Sequence, residues 1–400
     1  MPKKKISKDE VVIGRIDEAI QKLKDKDFTL YFFVVDSRNI PNGSMRYTYQ
    51  LAKEFYDKGY NVKMIYQLDN EYSEEEIKAI EGKNGYVDER RRFVGVGRWM
   101  GESFASLPHM NIQKEQWVVG PYDFLFVNEA FSSFMYEVGK NKIPCMKYAI
   151  LQNYAYLTEF IPIGQQWANY GIDRVIATNK HVAELTEQVF PYIKGHTHVI
   201  PPYIPAYFRK PVVAKNLIVN IIANNQSDTN RIVKTFYWKY PEYSFVTFRD
   251  VRQYPMADFA KMMQDSCITV WVDDKTPFGY SALEAMRCGN IIIGKIPEDI
   301  PEWMSDNNGL WFQNIKDAPE IISKVVKAWM NDAMPEEILT AMEETNKKYT
   351  YTEYEGNVKK LAEDIIEERI SEFEGIKKNI QDGNINAVDE DQDKKNNAEE

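Results

Sequence analysis

The sequence predicts an α/β protein made of two doubly wound parallel-sheet domains, and three observations carry that prediction. Short runs rich in β-branched and aromatic residues alternate with helix-length amphipathic stretches. A proline-rich connector, Pro201-Pro-Tyr-Ile-Pro205, divides the chain, and a strand-loop-helix-strand unit lies between Cys267 and Ile293. Strands joined through a helix run parallel, because a tight turn joins only antiparallel neighbours.

Residues 1–28 read as a charged helical extension. Thr29-Leu-Tyr-Phe-Phe-Val-Val35 then reads as a buried strand, Asp36–Ser44 as a loop with Pro41 and Gly43, and 45–58 as a helix closed by Gly59. Asn61–Tyr66 completes the first strand-helix-strand unit. Further strands are predicted at 123–127, 147–151, 173–177 and 197–200, so 29–205 forms one domain. Closely spaced prolines stiffen the connector and remove ladder donors, which places the boundary there.

The second domain, 206–345, opens with a strand at 216–223. A loop to Asn230, a helix over 231–240, a strand at 243–248, a helix over 256–264 and strands at 267–272 and 291–293 follow. Beyond Gly309-Leu-Trp-Phe312 the chain reads as helical to about residue 380. Leu361, Ile365, Ile366 and Ile370 give its last part, 346–380, an amphipathic pattern. Residues 381–400 lack aromatics, are acidic, and read as a disordered tail.

Composition narrows the function classes. Four hundred residues with 44% hydrophobic and 13% aromatic content supply a core for two domains. No apolar run approaches the roughly 20 residues of a membrane helix, and Met1-Pro-Lys-Lys-Lys5 leads into polar sequence, so a cytoplasmic protein, at most peripheral to a membrane, is expected. Cys145, Cys267 and Cys288 sit singly in apolar segments and read as reduced core residues. His196 and His198 read as structural. A net charge of −10 disfavours a general nucleic-acid coat and makes a nucleic-acid acceptor the less favoured partner. Arg90-Arg-Arg92 with Arg98, the main basic patch, reads as a solvated loop, with contact to an acceptor phosphate as the alternative. Gly95-x-Gly97 lacks the third glycine of a dinucleotide fingerprint, which argues against a nicotinamide enzyme.

The most informative stretch is Thr276-Pro-Phe-Gly-Tyr-Ser-Ala-Leu-Glu-Ala-Met-Arg-Cys-Gly-Asn290. Gly279 lets backbone approach a ligand, and the amides of Tyr280, Ser281 and Ala282 open a helix whose dipole favours a phosphate. Glu284, among Ala282, Leu283, Ala285 and Met286, is out of place unless it faces a cleft or solvent. In a cleft beside a phosphate it accepts hydrogen bonds from ribose hydroxyls. A Phe-Gly turn before an Ala- and Leu-rich helix is also common packing in α/β proteins, and that reading stays open.

Phe278-Gly279-x-x-x-Leu283-Glu284-Ala285-Met286-x-Cys288-Gly289, with Ile300-Pro301-Glu302 downstream, resembles the donor-site signature of GT-B glycosyltransferases of the family 4 type, which include bacterial sugar and rhamnosyl transferases. The resemblance implies the GT-B fold: two facing Rossmann-like domains, an interdomain cleft and a C-terminal helix that crosses back to the first domain. In that family two glutamates with seven residues between them hold the sugar and the ribose; Glu284 matches the second, and Thr276 stands in place of the first. Glu298 and Asp299 replace the glycines usual before Ile-Pro-Glu.

By the same resemblance Gly43 belongs to the first loop facing the cleft, and Gln152 and Asn153 are candidate sugar or acceptor contacts; a role in capping their loop stays open beside it. Asn225 stands where an arginine is usual, leaving Arg231, with Lys234 one turn on, to grip the donor diphosphate. The implied reaction is transfer of a hexosyl or deoxyhexosyl group from a UDP-, GDP- or dTDP-sugar to a carbohydrate, lipid-linked or other hydroxyl acceptor, with retention and without an essential metal. Two alternatives stand beside it: a nucleotide-sugar hydrolase or epimerase on this fold, and a non-catalytic binding module, suggested by Thr276 and Asn225. On this reading Glu284→Ala weakens nucleotide binding with the fold intact, and Arg231→Ala depresses turnover more than donor binding.

Overall fold

The computed structural model describes residues 7–36, 41–68, 74–81, 97–252, 254–273 and 278–384. The readings of Met1–Lys5, Arg90–Arg92, Gly95, the Arg98 side chain, Thr276 and the tail beyond residue 384 lie outside the described residues.

Among the described residues, two parallel sheets frame the molecule, and the strand counts below are of those residues. The first holds seven strands in the order β3-β2-β1-β4-β5-β6-β7. These are β1 (Thr29–Phe33), β2 (Asn61–Tyr66), β3 (His109–Asn111), β4 (Phe124–Asn128), β5 (Met146–Leu151), β6 (Arg174–Ala177) and β7 (Thr197–Val199). The second holds five in the order β12-β11-β10-β8-β9, namely β8 (Asn216–Ala223), β9 (Thr247–Asp250), β10 (Ser266–Val272), β11 (Ile291–Lys295) and β12 (Leu310–Phe312).

Strands covered by helices on both faces are apolar throughout. In β1 and β4 the partners Phe32 and Phe126 are buried, and their rings stack with centroids 4.5 Å apart. Strand order reverses between β1 and β4 in the first sheet and between β8 and β10 in the second. Open α/β sheets bind ligands in the crevice at the carboxyl ends of the strands at such a reversal.

Several predicted boundaries shift for local reasons. The helix expected from Arg231 begins at Gln226, because Asn225 caps it, its side chain accepting from the Asp228 amide at 2.9 Å. The strand expected at 243–248 begins at Thr247, because Pro241–Tyr243 forms a 3₁₀ turn. β3, three residues long, was not anticipated. The helical C-terminal region is three helices, Ala318–Met330, Glu336–Lys347 and Tyr351–Gln381.

The last of these returns to the first domain. It buries Tyr354, Val358, Leu361, Ile365 and Phe373, and Lys377 reaches Asp17 of the helix Lys8–Lys24 at 2.5 Å. Glu368 accepts from the Tyr148 hydroxyl at 2.9 Å and lies 3.0 Å from His198 Nε2, while buried Arg174 pairs with Glu368 and Glu372. His198 is thus part of the helix dock. Cys145, Cys267 and Cys288 are free and buried. Among the described residues no helix is long and apolar enough to cross a membrane.

Candidate active site

Two cavities lie on either side of the first turn of the helix Gly43–Asp57. The larger, about 760 Å³, opens at the reversal of the second sheet, where Asn224 follows β8 and Asp273 follows β10. Its walls include Gly279, Tyr280, Ser281 and Glu284 from the helix Tyr280–Arg287, Arg252 after β9, and Gly43 and Arg46 from the first domain. The smaller, about 440 Å³, opens at the reversal of the first sheet, with Val35 after β1, Ala130 after β4, and Gln152 and Asn153 after β5. The two cavities share Pro41, Asn42, Gly43 and Tyr280.

The two helix ends at this junction differ. Asn42 caps the Gly43 helix, Oδ1 accepting from the amides of Ser44 at 2.9 Å and Met45 at 3.2 Å. Gly279 begins the Tyr280 helix with no side-chain cap. The amides of Ala282 and Leu283 both donate to the Gly279 carbonyl, at 3.1 and 3.3 Å, so of the three amides expected to be open, those of Tyr280 and Ser281 are left to receive an anion.

Gly279, which lines the larger cavity, also answers to its local geometry. Its φ of +67° is left-handed, and a Cβ would stand 3.0 Å from a Trp303 ring carbon and 3.1 Å from one of Trp271. Phe278 fixes the entry to the helix: its buried ring meets Tyr280 and Tyr349 edge-on, and its carbonyl accepts from Trp303 Nε1 at 2.5 Å.

Glu284 is 3% exposed and does not stand alone. Arg46, from the first turn of the Gly43 helix and 5% exposed, places Nη1 2.6 Å from Glu284 Oε1, and its guanidinium lies 4.1 Å from the centre of the Tyr280 ring. Burial raises the Glu284 pKa, with the Arg46 charge and hydrogen bond opposing the shift. For Arg46 burial works against the charged form, yet the Glu284, Tyr280 and Tyr207 fields and the Glu284 hydrogen bond leave its pKa raised. Sequence reasoning passed over Arg46. The signal was a single charge within Met45-Arg46-Tyr47-Thr48, four successive helical residues that are all buried.

Glu129 was missed as well. It follows β4 directly at the reversal, is fully buried, and accepts through Oε1 from the amides of Gln152 at 3.0 Å and Asn153 at 2.9 Å. Its Oε2 has no partner among the described residues, and burial pushes its pKa up to about 8. The loop it holds sends Gln152 Nε2 to the Ser44 carbonyl at 3.1 Å, while Asn153 Oδ1 accepts from the Ala155 amide at 3.0 Å.

Of the sequence-predicted site residues, Gly43, Gly279, Tyr280, Ser281 and Glu284 therefore meet at the larger cavity, and Gln152, Asn153 and Phe278 at the smaller. Asn225, Arg231 and Lys234 line neither. Asn225 is engaged in capping, and because the helix already starts at Gln226, Arg231 and Lys234 fall on its exposed surface. Among the described residues, the second-domain cation on the cavity wall is Arg252, paired with Asp250 at 2.6 Å. Glu302, of the Ile-Pro-Glu motif, accepts from the Lys180 amide at 3.2 Å across the domains.

No protein-family model and no curated protein matches the chain. Solved structures do share its architecture. Sucrose-phosphate synthase from Thermosynechococcus elongatus superposes with a TM-score of 0.55 at 12% identity, covering 84% of this chain and 99% of that one. The pneumococcal O-GlcNAc transferase GtfA in complex with UDP and GlcNAc gives 0.57 at 10% identity, over 85% and 99%. Anabaena HepE in complex with UDP and glucose gives 0.55 at 13% identity, over 84% and 99%. At such identities the likeness is one of fold, and with the two facing doubly wound sheets, the cleft between them and the returning terminal helix it shows that this chain has the GT-B fold.

Proposed function

We propose that the chain is a glycosyltransferase that moves a sugar from a nucleoside-diphosphate sugar to an acceptor hydroxyl. One observation carries the reading: the reversal-point cavities of the two sheets meet at Gly43 and Tyr280. A donor in the larger cavity and an acceptor in the smaller would be brought together at that junction. The GtfA and HepE structures, each holding UDP and a sugar, support a nucleotide sugar as donor.

In this reading the open end of the Tyr280 helix faces the diphosphate, and Glu284 accepts from the ribose. A carboxylate has about four acceptor sites, so the bond from Arg46 leaves room for ribose hydroxyls. Arg252 adds a cation toward the charge that grows on the leaving diphosphate. Gln152 and Asn153, held by Glu129, face the acceptor. The acceptor oxygen bonds to the anomeric carbon as the bond from that carbon to the phosphate oxygen breaks. The acceptor proton passes to the departing phosphate, with retention and without a metal. The group transferred is a hexose or deoxyhexose.

Incubation with UDP-, GDP- and dTDP-sugars labelled in the sugar, with and without oligosaccharide and lipid-extract acceptors, tests the reading. Nucleotide release that depends on acceptor is the expected result. Release at the same rate without acceptor would make the protein a hydrolase, and failure to bind any of the nucleotides would remove the donor site altogether.

A further inference from the structure

Arg46 carries more hydrogen-bonding capacity than the protein uses. Its Nη1 is taken by Glu284, but Nε and Nη2 are buried and have no partner among the described residues. An unpaired buried donor is costly, and two on one side chain call for an explanation. The Tyr280 ring covers the guanidinium and orients it, and the side chain lines the larger cavity. Among the described residues, the carboxylates on that wall are otherwise engaged: Glu284 by Arg46, Asp250 by Arg252, and Asp273 by the Asn224 amide nitrogen at 3.0 Å. A guanidinium offers its donors as a planar fork that matches two phosphate oxygens. Independently, the uncapped end of the Tyr280 helix lies on the same wall.

We propose that Arg46 is a diphosphate ligand of the donor site, a reading that rests on the donor assignment above. Nη1 holds Glu284 in place for the ribose while Nε and Nη2 take diphosphate oxygens, after a rotation of the flexible side chain toward the cavity it already lines. Arg46 stands on the first domain and Glu284 on the second. Binding of a nucleoside then draws on the second domain, whereas binding of its diphosphate draws on both.

The test is calorimetric titration of the full chain with UDP, GDP and dTDP and with uridine, guanosine and thymidine, in the natural protein and in Arg46→Gln and Arg46→Lys. Gln removes the charge and ends two bonds short of the Nη1 position that meets Glu284; Lys keeps the charge without the fork. The readout is the ratio of diphosphate to nucleoside affinity. It should fall by about tenfold or more in Arg46→Gln and several-fold in Arg46→Lys, with circular dichroism confirming the fold. If the Gln variant does not fold, the Lys variant decides. An unchanged ratio in a folded variant overturns the role of Arg46 while leaving the donor site standing. A natural protein that binds none of the three diphosphates overturns the donor site as well.

Discussion

Arg46 Nη1 stands 2.6 Å from Glu284 Oε1, joining two nearly solvent-free side chains 238 positions apart and on opposite domains. Removing one member of a buried pair strands the other charge, at a cost of about 3–5 kcal/mol. Glu284→Ala should therefore lower the thermal midpoint as well as the nucleotide affinity, with the fold still intact at room temperature. Glu284→Gln, which keeps the shape and an acceptor, should lose less. A Glu284→Ala protein that melts with the natural one would show that the ion pair adds nothing to stability.

Glu129 makes stability depend on pH in an identifiable direction. Burial lifts its pKa from the ordinary 4.5 to about 8, so between those values the native state keeps a proton that the unfolded chain has released. Stability must then fall as pH rises through that window, by about 1.4 kcal/mol per pH unit from this group, and level off above it. Glu129→Gln removes the titration. Urea unfolding of both proteins in steps from about pH 5 to about pH 9 should give the natural protein the steeper decline. Parallel slopes would mean that Glu129 is ionised throughout.

Gly279→Ala tests the local geometry of the helix start. A left-handed backbone costs a residue with a Cβ about 1–2 kcal/mol, and the added methyl would press on Trp303 and Trp271. The variant should melt lower and bind nucleotide more weakly, because relief of the contact moves the Tyr280 and Ser281 amides. Unaltered melting would place the strain elsewhere. Gly59→Ala, whose Cβ meets nothing within 4 Å, isolates the backbone part.

What could be read in advance followed the range of the interaction. Strands such as Asn216–Ala223 declare themselves through continuous apolar runs, and the Tyr280 helix start through its glycine. β3 is too short to show a period, and the Gln226 helix start depended on Asn225 acting as a cap rather than as loop. Glu284 could be singled out because a carboxylate among Ala, Leu and Met needs a reason. Its partner could not, since nothing local ties Arg46 to a residue in the other domain. Glu129 was hidden for the same reason: its role is defined by the amides of Gln152 and Asn153 on the neighbouring strand end.

The same range effect separates Arg231 from Arg252. The family resemblance favoured Arg231, but the helix that begins at Gln226 carries it onto the exposed surface, while Arg252 lies on the cavity wall beside Asp250. An exposed side chain that lines neither cavity touches neither a nucleotide nor an acceptor held there. Arg231→Ala should thus leave nucleotide affinity and turnover within about twofold. Arg252→Ala removes a cation and also leaves Asp250 uncompensated, so a diphosphate loses an attraction and meets a repulsion. Its affinity should fall about tenfold at low salt and less at high salt, since the pair is partly exposed and the interaction is screened. Titrations of both variants at two ionic strengths decide the matter: a larger loss in Arg231→Ala than in Arg252→Ala would return the diphosphate grip to the helix Gln226–Lys239 and require it to turn toward the cleft when nucleotide binds.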